Sequence, residues 1–406
     1  MDSGFRPPWK FGVSAVNVVD LRNLFVSCTD ELIGISGSLV TYAEEKMQED
    51  RPTLFLMEYD RDSGQERALA SCEIPEAACV RRCFNFENAV LAVMESGGSD
   101  VWLLRAEKST SVKQTFTKLH FVGDFQGCFA LDESHLLFYT RPNERDGKVF
   151  RRYTRLTGFH RAAYLYDLEE DKYYCARDPH VCGASPSRFV PFLRGGVPWL
   201  LLLQPHGSEE EKRKCSKEKR WLGDEISDRV WECPLHDFLV SLKAGEEHVP
   251  FGLVLSAGTD GLVRYAGQDS ENLYFRAAYF PQEEQRLCAC SKSTGEKSVV
   301  ASLNLSPGEA PAKFSIDRFG GRAYRIEESG ENFHVTGILH STVDTEYPKD
   351  LGTFVTCVED QYLIAKYLLA DDTDSFEFNS VYNARDGSRK SYECRCAVSG
   401  STVVLY

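Results

Sequence analysis

Tyr59-Asp60-Arg61-Asp62-Ser63-Gly64-Gln65 closes one aromatic-rich stretch and opens the next. The arrangement returns as Tyr166-Asp167-Leu168-Glu169-Glu170-Asp171-Lys172, as Cys290-Ser291-Lys292-Ser293-Thr294-Gly295-Glu296 and as Tyr382-Asn383-Ala384-Arg385-Asp386-Gly387-Ser388. In each copy a strand-like run ends in Asp, Asn or Ser, a polar turn follows, and a second run begins. Short polar side chains bond the backbone just ahead of them, and Gly supplies positive φ, so these segments join the two outer strands of a hairpin. Weaker copies lie at Leu104 to Ser109 and near Arg325 to Glu331. Tyr59 and Tyr382 are 323 residues apart. Six intervals over that distance give a repeat of about 54 residues.

Period-two segments rich in Val, Phe, Tyr, Leu and Thr recur along the chain, as at Thr53 to Tyr59, Leu136 to Thr140, Leu273 to Phe280 and Tyr362 to Leu369. Helical patterns are scarce; the candidates are Gly207 to Arg220 and Leu235 to Leu242. An all-β chain with this period resembles a β-propeller. The resemblance implies one domain over residues 1–406, with seven four-stranded blades; six or eight blades, or a pair of β-sandwiches, are the alternatives. First, inner strands are expected near Leu24, Arg82, Phe121, Phe189, Leu253, Phe314 and Phe354. Ser14 to Val19 and Ser401 to Tyr406 are β-prone, and strands from both ends are expected to close the ring. No Trp-Asp ending of a WD40 repeat recurs, and the Gly-Gly pairs at Gly97, Gly195 and Gly320 lack the rest of a kelch repeat. Residues 205–237 break the rhythm with a mixed charge run and read as an insertion in the fourth blade.

The 406 residues include 61 acidic against 47 basic side chains, a net charge of −14, with 42% hydrophobic residues. So apolar a chain can bury a core, which excludes disorder. An acidic balance argues against binding a nucleic-acid backbone. No apolar run approaches the roughly 18 residues of a membrane span; Val197 to Gln204 is short and holds Pro198. The first residues lack the pattern of a secretory signal, so a cytoplasmic location is expected. The 14 cysteines then read as reduced thiols, mostly packed in strands. Cys288 with Cys290 and Cys394 with Cys396 are CxC pairs, yet zinc spacing is missing, so no metal is expected.

Residues near the inner strands of a propeller converge on one mouth of its channel, where ligands gather. The resemblance therefore makes Arg81, Arg82, His120, Asp124, His160, Arg161, Arg188, Asp317 and Arg318 the candidate ligand-binding residues. An Arg-rich mouth suits a carboxylate or phosphate, because the guanidinium fork binds such groups bidentately. Trp221 and Trp231, embedded in the insertion, are the candidate partner-binding residues. HExxH, HxH, GxSxG, GxGxxG and Walker patterns are all missing. No catalytic residue and no cofactor is assigned. The reading is a non-catalytic binding or assembly module acting on a protein or peptide partner. The alternative is an enzyme, or a sensor of a small anionic molecule or peptide, with an Arg- and His-lined site.

Overall fold

A computed structural model describes residues 17–22, 24–25, 31–108, 113–143, 145–157, 161–185, 188–204, 229–257, 261–279, 284–304, 313–316, 322–370, 375–399 and 402–406. Strand β1 is Asn17–Asp20. Blade 1 is β2 (Glu31–Ser36), β3 (Leu39–Gln48), β4 (Arg51–Asp60) and β5 (Gln65–Glu73). Blade 2 is β6 (Cys79–Asn85), β7 (Ala89–Glu95), β8 (Asp100–Glu107) and β9 (Gln114–His120). In blade 3, helix α1 (Gly147–Thr157) separates β10 (Asp124–Ala130) and β11 (His135–Arg141) from β12 (Ala162–Asp167) and β13 (Lys172–Cys175). Helix α2 (Pro179–Gly183) leads into blade 4, which is β14 (Phe189–Arg194), β15 (Val197–Gln204), β16 (Arg229–Pro234), helix α3 (Leu235–Ala244) and β17 (Gly252–Ser256). Blade 5 is β18 (Gly261–Gln268), β19 (Asn272–Tyr279), β20 (Glu284–Ser291) and β21 (Lys297–Asn304). Blade 6 is β22 (Lys313–Ile316), β23 (Ala323–Ser329), β24 (Asn332–Leu339) and β25 (Asp344–Pro348). Blade 7 is β26 (Thr353–Val358), β27 (Tyr362–Ala370), β28 (Ser375–Asn383) and β29 (Arg389–Glu393), and β30 (Cys396–Ser399) and β31 (Thr402–Leu405) follow.

Seven four-stranded antiparallel sheets, each taken in chain order, make this a seven-bladed β-propeller. An eighth, three-stranded sheet runs β1-β31-β30, with β1 parallel to β31. The two ends of the chain thus pair with each other in a sheet of their own. The chain divides into two compact units, Ser27–Ser256 with blades 1 to 4, and Met1–Val26 with Ala257–Tyr406, which hold blades 5 to 7 and the terminal sheet.

Alternation explains the cores. Side chains on a strand point to opposite faces in turn. On β7, Val90, Ala92 and Met94 join the core shared with blade 1, whereas Leu91 and Val93 join the core shared with blade 3. On β11, Leu136 and Phe138 face blade 2 while Leu137 and Tyr139 face blade 4. Both faces of a middle strand are therefore buried, and its sequence is apolar throughout. In the other unit, clusters join blade 5 to 6 and blade 6 to 7. Val403 and Leu405 pack on Val358, Ile364 and Tyr392 of blade 7.

The repeated turn has one chemistry. Asp60 ends β4; its carboxylate accepts from the Asp62 N–H at 3.1 Å and the Ser63 hydroxyl at 2.8 Å, and its carbonyl from the Gly64 N–H at 2.8 Å. Asp167 accepts from the Glu169 and Glu170 N–H groups at 2.9 Å, and Asn383 from Arg385 at 3.0 Å. The Gly295 and Gly387 N–H groups bond the Ser291 and Asn383 carbonyls. Four residues after the capping residue the backbone turns left-handed, at Gly64, Gly295 and Gly387 with φ of 70–71° and at Asp171 with φ 49°. A second recurring feature, unmarked in the sequence, is a bulge in the first strand of blades 1, 2, 3, 5 and 7.

Several expectations shift. Arg82, Phe189, Phe314 and Phe354 do lie on first strands, and Phe121 falls three residues before β10. Leu253 sits on the outermost strand β17, and Leu24 lies before β2. The Arg325–Glu331 copy is the turn between the second and third strands of blade 6; its outer turn spans residues 340–343, where His340 takes φ 53°. In the expected 205–237 insertion, residues 205–228 lie outside the described residues, whereas 229–237 are β16 and the start of α3. The helix expected at Leu235 to Leu242 is α3; the one at Gly207 to Arg220 lies outside the described residues. Helix α1 lies between the second and third strands of blade 3, where no helix is expected, although Val149, Phe150, Tyr153 and Leu156 recur at helical spacing.

Candidate functional site

Several anticipated site residues meet partners of their own. Arg81 on β6 pairs with Glu95 on β7, whose carboxylate is buried, and the pairing raises the Arg81 pKa. Arg82, next along, is exposed and stacks over the Phe84 ring at 5.4 Å. His120 ends the outer strand β9, with Nδ1 2.8 Å from the Asp100 carboxylate. Lys118 reaches the same carboxylate at 2.8 Å, and the His120 and Lys118 hydrogen bonds lower the Asp100 pKa. Its neighbour Phe121 turns inward against Phe138 and Tyr164, which sends His120 outward. Asp124 accepts from the Asn143 amide at 3.0 Å. Arg161 donates to the Ala184 carbonyl at 2.8 Å, and Arg188 is buried just before β14. His160, Asp317, Arg318 and Trp221 lie outside the described residues. Trp231 is half-buried in β16 and packs edge-on against the His180 ring at 5.3 Å.

Blades 3 and 4 hold the departures from the hairpin rhythm. Helix α2 is capped by buried Asp178, whose Oδ1 accepts from the His180 and Val181 N–H groups at 2.7 and 3.0 Å. Its other oxygen accepts from the Val249 N–H at 2.9 Å. Burial opposes that charge, but the His180 and backbone bonds outweigh it and lower the Asp178 pKa. Tyr139, buried in β11, donates to the Val181 carbonyl at 2.9 Å.

Helix α3 ends at Gly245, left-handed at φ 70°, with Lys243 in its last turn. Lys243 Nζ donates to Asp167 at 2.5 Å and to Glu170 at 2.9 Å. His135 stands between Asp132, 2.9 Å from Nδ1, and Asp167, 3.3 Å from Nε2. Burial disfavours the imidazolium, yet the bond to Asp132 and the charges of Asp132 and Asp167 raise the His135 pKa. Burial likewise disfavours the Asp167 charge, but Lys243 and two backbone N–H groups hold its pKa far below the usual range. The cluster clamps α3 onto blade 3, with buried His135 Nε2 near Asp167 but without a hydrogen bond. Sequence reading missed it, although Asp167 sits inside the quoted repeat.

Helix α1 is different. Three bonds fix its entry: Asn143 to Asp124, the Asp146 N–H to Asn143 Oδ1 at 2.8 Å, and the Gly123 N–H to Asp146 at 2.9 Å. The helix lies against α2. Lys148, Arg151, Arg152 and Arg155 are all exposed, and none has an ion pair or hydrogen bond among the described residues. Residues 141–161 hold seven Arg or Lys and only two acids, in a chain of net charge −14.

Among the described residues no trio of His, Cys, Asp and Glu is placed to hold a metal ion, and no helix is long and apolar enough to cross a membrane. A cleft of about 340 Å³ beside blade 2 is lined by Glu87, Asn88, Arg105, Glu107 and Lys108, in which opposite charges balance. Burial lowers the Lys108 pKa, and its amine donates to the Phe86 carbonyl at 2.6 Å.

No protein-family model and no curated protein matches this sequence. Solved structures are similar in fold. The uncharacterized protein lmo1340 from Listeria monocytogenes EGD-e matches at 11% identity over 94% of this chain and 97% of that chain, with a TM-score of 0.44. A prolyl endopeptidase matches at 12% identity over 93% of this chain, with a TM-score of 0.45, and the match spans 48% of that chain. The β-propeller domain of the Trilobed protease from Pyrococcus furiosus matches at 10% identity over 88% of this chain and 95% of that chain, with a TM-score of 0.38. These likenesses concern the fold alone.

Proposed function

We propose that this propeller is a binding module that assembles with a protein partner. The observation that carries the reading is the row of exposed cations on α1, unpaired among the described residues and held in place at its entry by Asn143 and Asp146. Arg81, His120 and Asp124, anticipated as ligand contacts, are each spent on a separate internal partner. Conserving a fold while varying its loops is how propellers acquire different partners. The test is purification of the full tagged chain, with light scattering and quantification of what accompanies it. A complex of fixed stoichiometry supports the reading; recovery of the chain alone at low and moderate salt overturns it.

One residue favours the sensor of a small anion as the second reading. Arg82 is exposed, stacked on Phe84, and makes no hydrogen bond or ion pair among the described residues. An anion that raises the melting temperature of the wild-type chain and not that of Arg82→Ala would support it.

A further inference from the structure

We infer that α1 is a docking element for an acidic segment of a protein partner. The inference rests on the binding reading above and names the chemistry of what is bound.

Spacing comes first. Lys148, Arg151, Arg152 and Arg155 stand at i, i+3, i+4 and i+7, so their side chains leave one face of the helix. At 1.5 Å per residue the row is about 10 Å long.

Pairing elsewhere makes the row stand out. Many cations elsewhere find carboxylates: Arg51 with Glu73, Arg67 with Glu58, Lys118 with Asp100, Arg286 with Glu284, Arg389 with Asp350, while others such as Arg82 and Lys297 stand singly rather than in a row. In a chain with 61 acidic residues, four neighbouring cations on one helix take none among the described residues. Asp146, at the start of the helix, is spent on the Gly123 N–H.

Pre-organisation comes next. The bonds through Asn143 and Asp146 tie the start of α1 to β10 and the residue before it, and the Arg161 bond to Ala184 holds the chain just beyond its end. A fixed helix loses little freedom when it binds. Three of the four cations are arginines, whose forks grip carboxylates bidentately.

Charge selects the occupant. A nucleic acid carries phosphates far past a patch of about 10 Å, and the overhang would meet a chain of net charge −14. An anionic membrane presents the same charge over a wider plane. A short run of Asp or Glu delivers several carboxylates within the row and nothing beyond it.

The test uses the full chain and a fluorescein-labelled polyglutamate peptide, followed by anisotropy across a salt series. Wild type is expected to bind, more weakly as salt rises. The Arg151→Glu/Arg152→Glu double variant is expected to bind at least about ten-fold more weakly, with Arg151→Lys/Arg152→Lys close to wild type. Both variants should melt like wild type, since the positions are exposed. Binding by the charge-reversed chain within about two-fold of wild type overturns the inference. So does tighter binding of an oligothymidylate of equal charge, or of phosphatidylserine vesicles. If the charge-reversed chain still enters the complex of the previous section, α1 is not the docking element although the binding reading stands. If no complex forms with either chain, the binding reading fails by itself.

Discussion

Lys243, in the last turn of α3, donates to Asp167 at 2.5 Å, and Asp167 is the residue that caps the outer turn of blade 3. One carboxylate therefore serves both the repeat and the attachment of a helix from the next blade. Asp167 is 3% exposed, so removing its cation leaves a buried charge with only backbone donors and His135. Lys243→Met is expected to lower the stability of the Ser27–Ser256 unit by about 2 kcal/mol, read from urea unfolding. An unchanged midpoint would refute the clamp.

The same cluster sets a pH dependence. His135 has a raised pKa, so its contribution is complete below the unfolded value and disappears as pH rises through the folded one. Asp132 and Asp167 have lowered pKa values, so theirs are present above the usual carboxylate range and are lost in acid. The clamp is strongest between about pH 4 and 6.5 and weakens on the alkaline side first through His135, with Lys243 following only at strongly alkaline pH. His135→Asn should flatten the stability profile between about pH 6 and 8; a slope unchanged by the substitution would contradict this. In the other unit, Asp269 accepts from Tyr274 at 2.6 Å and His340 at 2.8 Å and titrates at about 2, so these bonds should persist until strongly acid pH.

The capped turns make a contrasting pair of substitutions. Gly64 at φ 70° meets nothing within 4 Å, so Gly64→Ala suffers only from the left-handed backbone and should cost about 1 kcal/mol. Asp171 holds the equivalent position at φ 49° and accepts from the Tyr166 hydroxyl at 2.6 Å. Asp171→Gly relieves the backbone and loses that bond, terms of about 1 kcal/mol each that oppose. Thermal melts should show a loss for the first and little change for the second.

Closure of the chain ends depends on β31. Leu405 is fully buried and its carbonyl accepts from the Leu21 N–H at 2.9 Å. Leu405→Ala should cost about 3 kcal/mol, and deleting residues 403–406 should cost more, because β1 loses its partner strand. Hydrogen exchange at Val18 to Asp20 would report this directly; protection that survives the deletion would count against the pairing.

Thiol reactivity should follow burial. Burial pushes Cys128, Cys233, Cys357 and Cys396 up to about 12, whereas Cys79 is exposed. Alkylation of the native chain, mapped by mass spectrometry, should mark Cys79 well before those four. Equal labelling would show that the strands open readily.

Much of the fold is legible in the residues. A side chain such as Asp60 or Asn383 caps the turn it starts, and Gly64 or Gly387 supplies its handedness, so the outer hairpins can be read from a few adjacent positions. Blade 6 escaped because its outer turn at 340–343 uses His340 in place of Gly. The β-bulges escaped because a bulge answers to the partner strand. Helix α1 can be read from the spacing of Val149, Phe150, Tyr153 and Leu156, but it is one short helix in a chain of strands.

By itself the sequence determined an all-β chain of about seven repeats, since turns and period-two runs are local properties. Tertiary structure alone decided which charges are spent and which are free. Arg81 pairs with Glu95, His120 with Asp100 and Asp167 with Lys243, and those partners lie 14, 20 and 76 residues away, brought close by strand register and by one blade packing on the next. The row of four cations on α1 stands out only once the helix has placed them on one face with no carboxylate partner among the described residues.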